Sequence, residues 1–88
     1  MFDYIKGELT YKTENTKGTF ITIEANSIGY SIEITEKDFI KISQENEQKI
    51  FKIYTVLIHK EDKMSLCGFL KREERDIYNV LTSVSGVS

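Results

Sequence analysis

The clearest pattern in the chain is an alternation from Ile28 to Thr35, where Ile28, Tyr30, Ile32 and Ile34 interleave with Gly29, Ser31, Glu33 and Thr35. A period of two marks a strand with one covered face. Upstream, Tyr4 to Glu14 mixes β-forming and polar residues and runs into Asn15-Thr16-Lys17-Gly18, a turn cluster whose glycine can take positive φ. A second strand then spans Thr19 to Ala25, with Ile21, Ile23 and Ala25 on one face, and Asn26-Ser27 turns it into the third. Thr35-Glu36-Lys37-Asp38 has the form of a helix start with Thr35 as N-cap, and Phe39, Ile40 and Ile42 supply a short apolar side. After the polar break Ser43 to Gln48, Ile50 to Ile58 is apolar on both faces, as in a strand covered by neighbours. A polar hairpin loop, His59 to Lys63, leads to a fifth strand from Met64 to Phe69. Finally, Lys71 to Val84 places Ile77, Val80, Leu81 and Val84 at helical spacing before Ser85-Gly86. Three strands, a helix and two strands is the element order of the five-stranded OB barrel, so the fold class is mainly β with one helix appended.

Composition bounds this reading. With 88 residues and 40% hydrophobic content the chain builds one modest core. No apolar run is long enough to span a bilayer, and the first residues, Met1 to Lys6, do not resemble a signal peptide. The expected location is cytoplasmic, without membrane contact. One cysteine, Cys67, and one histidine, His59, give neither a disulfide nor a structural metal site, so no metal and no cofactor are expected. The net charge of -2 argues mildly against a domain that tracks phosphates along a groove.

Few residues carry candidate chemistry. Glu61-Asp62 is the pair to consider first, because two carboxylates can act as acid and base or hold a hard cation. Adjacent hairpin residues tend to point apart, however, and taken alone the pair reads as a solvated turn. His59 has no nucleophile motif beside it, and Cys67, between Leu66 and Gly68-Phe69, reads as a small core hydrophobe. Phe20, Tyr30, Phe51, Tyr54 and Phe69 can serve either the core or a stacking platform for single-stranded nucleic acid. The terminal Ser83 to Ser88 reads either as a helix cap or as the opening of a glycine-rich hairpin, in which Gly86 and Val87 would bring backbone N–H groups to a phosphate. An enzyme is the weakest reading.

Four stretches in register carry a resemblance. Met1 with Gly7, Ile28-Gly29-Tyr30, Lys60-Glu61-Asp62 followed by Leu66-Cys67-Gly68-Phe69, and Glu74-Arg75 with Tyr78, Leu81 and Ser83 to Val87 together resemble the RuvA family of bacterial Holliday-junction-binding subunits. The chain departs from that pattern at Lys60, where the family has Arg, at Cys67, where it has an aromatic residue, and at Ser88, where its hairpin has a second glycine.

The resemblance implies an OB-fold domain over residues 1–70 and the start of a helix-hairpin-helix domain over 71–88. It also implies a non-catalytic subunit that binds Holliday-junction DNA as a homotetramer and works with the RuvB ATPase in branch migration, RuvB being engaged through a third domain beyond this sequence. The acidic turn Glu61-Asp62 would then be a strand-separating pin flanked by the basic Lys60, and grip on the DNA would come mainly from helix-hairpin-helix elements, of which Gly86 and Val87 are a part. An OB-type single-strand binder and a pure oligomerisation module are the competing readings.

Overall fold

A computed structural model describes residues 2–45 and 49–84. The elements are β1 (Tyr4–Asn15), β2 (Gly18–Ala25), β3 (Ile28–Ile34), α1 (Glu36–Ser43), β4 (Ile50–Lys60), β5 (Lys63–Phe69) and α2 (Arg72–Val84). The strands form a closed barrel in the order β1-β2-β3-β5-β4, every neighbouring pair antiparallel except β3 with β5. This is the mainly-β, OB-type architecture anticipated from the element order.

Closure depends on β1 serving two partners. Its first half pairs with β4 from Tyr4↔Tyr54 to Glu8↔Ile50, and its second half pairs with β2 from Glu8↔Glu24 to Asn15↔Gly18. The register slips between Leu9 and Tyr11, a bulge that bends the strand where it passes from one partner to the other. Gly7 lies at that crossing, and a Cβ there would stand 2.1 Å from the Glu24 carbonyl oxygen. Gly68 is inside the barrel, where a Cβ would meet Ile53 Cγ2 at 2.4 Å and Ile32 Cγ2 at 2.7 Å. Gly7 and Gly68 are therefore there for close packing. The first hairpin closes on an Asx turn, with the Lys17 N–H donating to Asn15 Oδ1 at 2.8 Å, and Gly18 follows at φ 140°.

Period-two alternation delivers the core. Ile5, Leu9, Ile21, Ile23, Ile32, Ile34 and Ile53 point inward and are buried, and Ile42 of α1 closes one end. Three expectations need correction. Ile50, expected within a strand covered on both faces, is 55% exposed at the first position of β4. Ile28, expected to share the covered face, is 53% exposed because it pairs with Ala25 beside the Asn26-Ser27 turn, beyond the packed interior. Ile40, expected on the apolar side of α1, is likewise exposed, since an eight-residue helix presents only one narrow stripe to the barrel.

The helix start is as anticipated: Thr35 is the N-cap and its hydroxyl oxygen accepts the Asp38 N–H at 3.1 Å. Asp38 does more than its position in the first turn suggests. It is buried, and its Oδ2 accepts the Leu70 N–H at 3.1 Å, tying α1 to the chain between β5 and α2.

α2 lies along the outer face of β4 and β5, which is why β4 is apolar on both sides. The Tyr78 ring sits 5.4 Å from that of Phe69, and the Arg72 guanidinium lies 4.7 Å above Tyr54. Arg75 is the centre of this contact and is 8% exposed. Its Nη1 donates to the backbone oxygens of Asp3 (2.7 Å) and Thr55 (3.1 Å), its Nη2 to the Asp3 carboxylate (2.6 Å) and its Nε to Asp76 (2.8 Å). A guanidinium suits this place because its donors form a fixed fork. Lys37–Glu74, at 2.6 Å, adds an exposed link between the two helices.

Replacing Arg75 with Met removes the guanidinium donors from the Thr55 and Asp3 backbone oxygens and from the Asp3 carboxylate, and should lower stability by about 3 kcal/mol in urea titrations. Arg75→Lys should recover only part of that loss, because an ammonium cannot reproduce the fork. The hydrogen bond from Arg75, with Arg72 behind it, outweighs partial desolvation and holds the Asp3 carboxyl below its ordinary pKa. A depressed carboxyl contributes stability that is present above its unfolded pKa and lost as pH falls through the folded value. The urea-midpoint difference between the native chain and Asp3→Asn should therefore shrink between neutral pH and about pH 3.

Candidate nucleic-acid interface

The two halves of the last hairpin outlast their neighbours. β4 is paired to β1 only as far as Tyr54, and β5 is paired to β3 only from Leu66 onward. The pairs Ile58↔Ser65, His59↔Met64 and Lys60↔Lys63 thus belong to a two-stranded ribbon with no third strand beside it. At the rise of a β-strand, the three pairs of this ribbon span roughly 10 Å. The loop itself is shorter than anticipated. His59 and Lys63 are strand residues, and the turn consists of Glu61 and Asp62 alone.

Both carboxylates at the apex are exposed. Glu61 has φ 52°, in the left-handed region that glycine and asparagine enter far more readily than glutamate. Gly or Asn would satisfy the turn better, so the acidic side chain carries a local conformational cost. Lys60 stands at the last position of β4 as the Cα partner of Lys63. His59 is exposed and is the ladder partner of Met64.

The strand pattern sets what shares this end. Because β3 and β5 run parallel and the other neighbours antiparallel, the start of β1, the β2–β3 turn and the β4–β5 turn all lie at one end of the barrel. Phe2 packs edge-on against Tyr30 there, 6.2 Å between ring centroids. The helices sit elsewhere, α1 across the opposite end and α2 along the side.

The aromatic side chains expected as either core or stacking platform are dispersed. Tyr30 and Phe51 pack against the interior, Phe20 is half-buried on β2, Phe69 is buried beneath Tyr78, and Tyr54 lies under Arg72 and edge-on to Tyr4. They form no shared open face. Cys67 is half-buried beside Tyr78, whose hydroxyl pKa is pushed up first by burial and then by the neighbouring thiol. With Glu33, Ser65 and Phe69 these two residues line an open groove of about 440 Å³ between β3, β5 and α2. No group of three or more His, Cys, Asp or Glu is placed to hold a metal among the described residues, and no described helix is long and apolar enough to cross a membrane. Gly86 and Val87 lie outside the described residues.

The family model for the RuvA N terminal domain matches residues 1–68. The chain belongs to this family. Among curated relatives, the Holliday junction branch migration complex subunit RuvA of Acetivibrio thermocellus is 42% identical over 87 residues, covering 99% of this chain and 40% of the relative. The subunits of the same name from Clostridium tetani and Chlamydia pneumoniae are each 40% identical over 87 residues, 99% of this chain, and are covered to 41% and 40% of their own lengths. The chain therefore spans about two fifths of the length of these RuvA relatives. The match to the RuvA N-terminal domain ends before α2, whereas the similarity to the relatives runs on through it.

The positive φ at Glu61 yields a direct test. Glu61→Gly or Glu61→Asn should leave the fold intact and raise stability by up to about 1 kcal/mol in thermal or urea unfolding, because the left-handed penalty is relieved.

Proposed function

We propose that this chain is the barrel of a non-catalytic subunit that binds Holliday-junction DNA within a branch-migration complex, with Glu61-Asp62 as a strand-separating pin. The observation that carries the reading is the unsupported ribbon whose apex consists of two exposed carboxylates. A carboxylate about 4 Å from a phosphate is repelled by about 1 kcal/mol in water and about 4 kcal/mol at a partly dehydrated interface. Four such apices at the centre of a homotetramer would hold the exchanging strands of an open junction apart. The net negative charge is compatible with this role if grip on the duplex arms comes from elsewhere.

In this reading, residues 71–88 begin a helix-hairpin-helix domain whose backbone N–H groups, including those of Gly86 and Val87, contact phosphates. Lys60 would be the basic residue flanking the pin. A later domain would engage the RuvB ATPase, which supplies the work, and the complex would act in the cytoplasm during recombination and repair. The relatives' shared name and their greater length support this assignment.

A chimera tests it, joining this chain to the remaining three fifths of the Acetivibrio thermocellus subunit. The chimera should shift four-way junctions in gels in preference to linear duplex, and should support branch migration with RuvB. Glu61→Gln with Asp62→Asn should change the migration rate several-fold while leaving assembly, read by light scattering, intact. A chimera that assembles but does not discriminate junctions would refute the junction-binding role, and unchanged migration in the double variant would refute the pin.

A further inference from the structure

The groove between β3, β5 and α2 holds one charge that has no counter-ion among the described residues. The parallel register sets Glu33 beside Cys67, and Ser65 and Phe69 lie two positions either side of Cys67, on the same face of β5. Ile58, the ladder partner of Ser65, and Tyr78 of α2 complete the walls around about 440 Å³. Glu33 is half-buried, yet it enters no ion pair among the described residues. A carboxylate partly withdrawn from water without a cation beside it carries an uncompensated desolvation cost. The Tyr78 hydroxyl lies within the field of that carboxylate and is hydrogen-bonded to the Cys67 sulfur. Glu33 is the one formally charged residue among those that line the groove.

We infer that this groove receives an arginine side chain presented by a partner protein, its guanidinium on the Glu33 carboxylate and its flat face against the Tyr78 ring. Charge complementarity carries the choice of occupant. The Glu33 carboxylate and the Ser65 hydroxyl can both accept hydrogen bonds, and a guanidinium offers its donors in one plane. Tyr78 and Phe69, with ring centroids 5.4 Å apart, bring aromatic surface to the same place, and an aromatic face attracts a cation. Ile58 gives the aliphatic stem an apolar wall. A nucleic-acid backbone does not suit the groove, because its phosphate would meet the carboxylate. A free amine suits it little better: one ion pair in an open groove contributes little, so affinity must come from the polypeptide that carries the cation. The inference depends neither on the acidic apex nor on DNA.

The probe is a blocked tripeptide with arginine between two glycines, titrated to millimolar concentration into the isotope-labelled chain and followed by the shifts of its backbone amides. A citrulline tripeptide is the uncharged isostere, and a lysine tripeptide the point-charge control. The amides of Glu33, Ser65, Cys67 and Tyr78 should move with the arginine peptide. Citrulline should bind about tenfold more weakly, with lysine between the two. Glu33→Gln should abolish the difference between arginine and citrulline, with a urea midpoint equal to or above that of the native chain. Equal binding of citrulline and arginine to the native chain overturns the inference without recourse to any variant. A Glu33→Gln chain that still prefers arginine overturns it as well, and so does a lowered urea midpoint, which would show that the carboxylate serves the fold. If spermidine moves the same amides at lower concentration than the arginine peptide, the site belongs to a free polyamine and the protein partner is wrong. If those amides move when the chain alone is concentrated, the occupant is a second copy and the assignment to a different protein fails.

Discussion

The parallel pairing of β3 with β5 is the contact on which the rest of the molecule depends. It joins Ile32, Glu33 and Ile34 to Leu66, Cys67 and Gly68 and turns a bent sheet into a closed barrel. It also fixes where β5 loses its support, because β3 offers no partner to Lys63, Met64 or Ser65. Ribbon length is therefore a by-product of barrel register. Gly68 holds that register in place, since a side chain there would collide with both Ile53 and Ile32. A one-step slip would turn inward residues outward along the strand and shift the apex relative to the rim.

Much of this was legible in the sequence because it is periodic. The alternation of Ile21 with Ile23, and of Ile32 with Ile34, identifies strands and their covered faces without knowledge of their partners, and Thr35 announces the helix that follows. The misread positions, Ile28, Ile40 and Ile50, lie where a local pattern continues past the boundary of the core, and pattern alone does not say where a core ends. The span of the last turn was overestimated for a related reason. His59 to Lys63 is polar throughout, and polarity marks exposure but does not separate an exposed strand from a loop.

The candidate site was legible only in part. Glu61-Asp62 stands out as a charged pair, yet its release from the barrel depends on where β4 parts from β1 and β5 parts from β3, strands that are far away in sequence. The roles of Asp38 and Arg75 are also long-range: one reaches Leu70, the other Asp3 and Thr55. In the sequence Arg75 is one charge in the mixed run Lys71 to Asp76, and nothing local distinguishes it from Arg72. Burial distinguishes them, and burial is a property of the assembled fold. The motif resemblance brought Glu74-Arg75 forward for a different purpose, as part of a following domain, although Arg75 is spent on the barrel itself.

That attachment bears on how movement could pass through the molecule. A helix resting on a sheet through apolar contacts alone can slide or roll at little cost, whereas one whose guanidinium is forked onto two backbone oxygens and a carboxylate has its rotation and its translation both indexed. α2 therefore behaves as a keyed shaft. Polypeptide continuing from its far end would leave along a bearing set by the barrel, and torque applied there would reach the acidic apex as rotation of the whole barrel, with little lost to play at the joint.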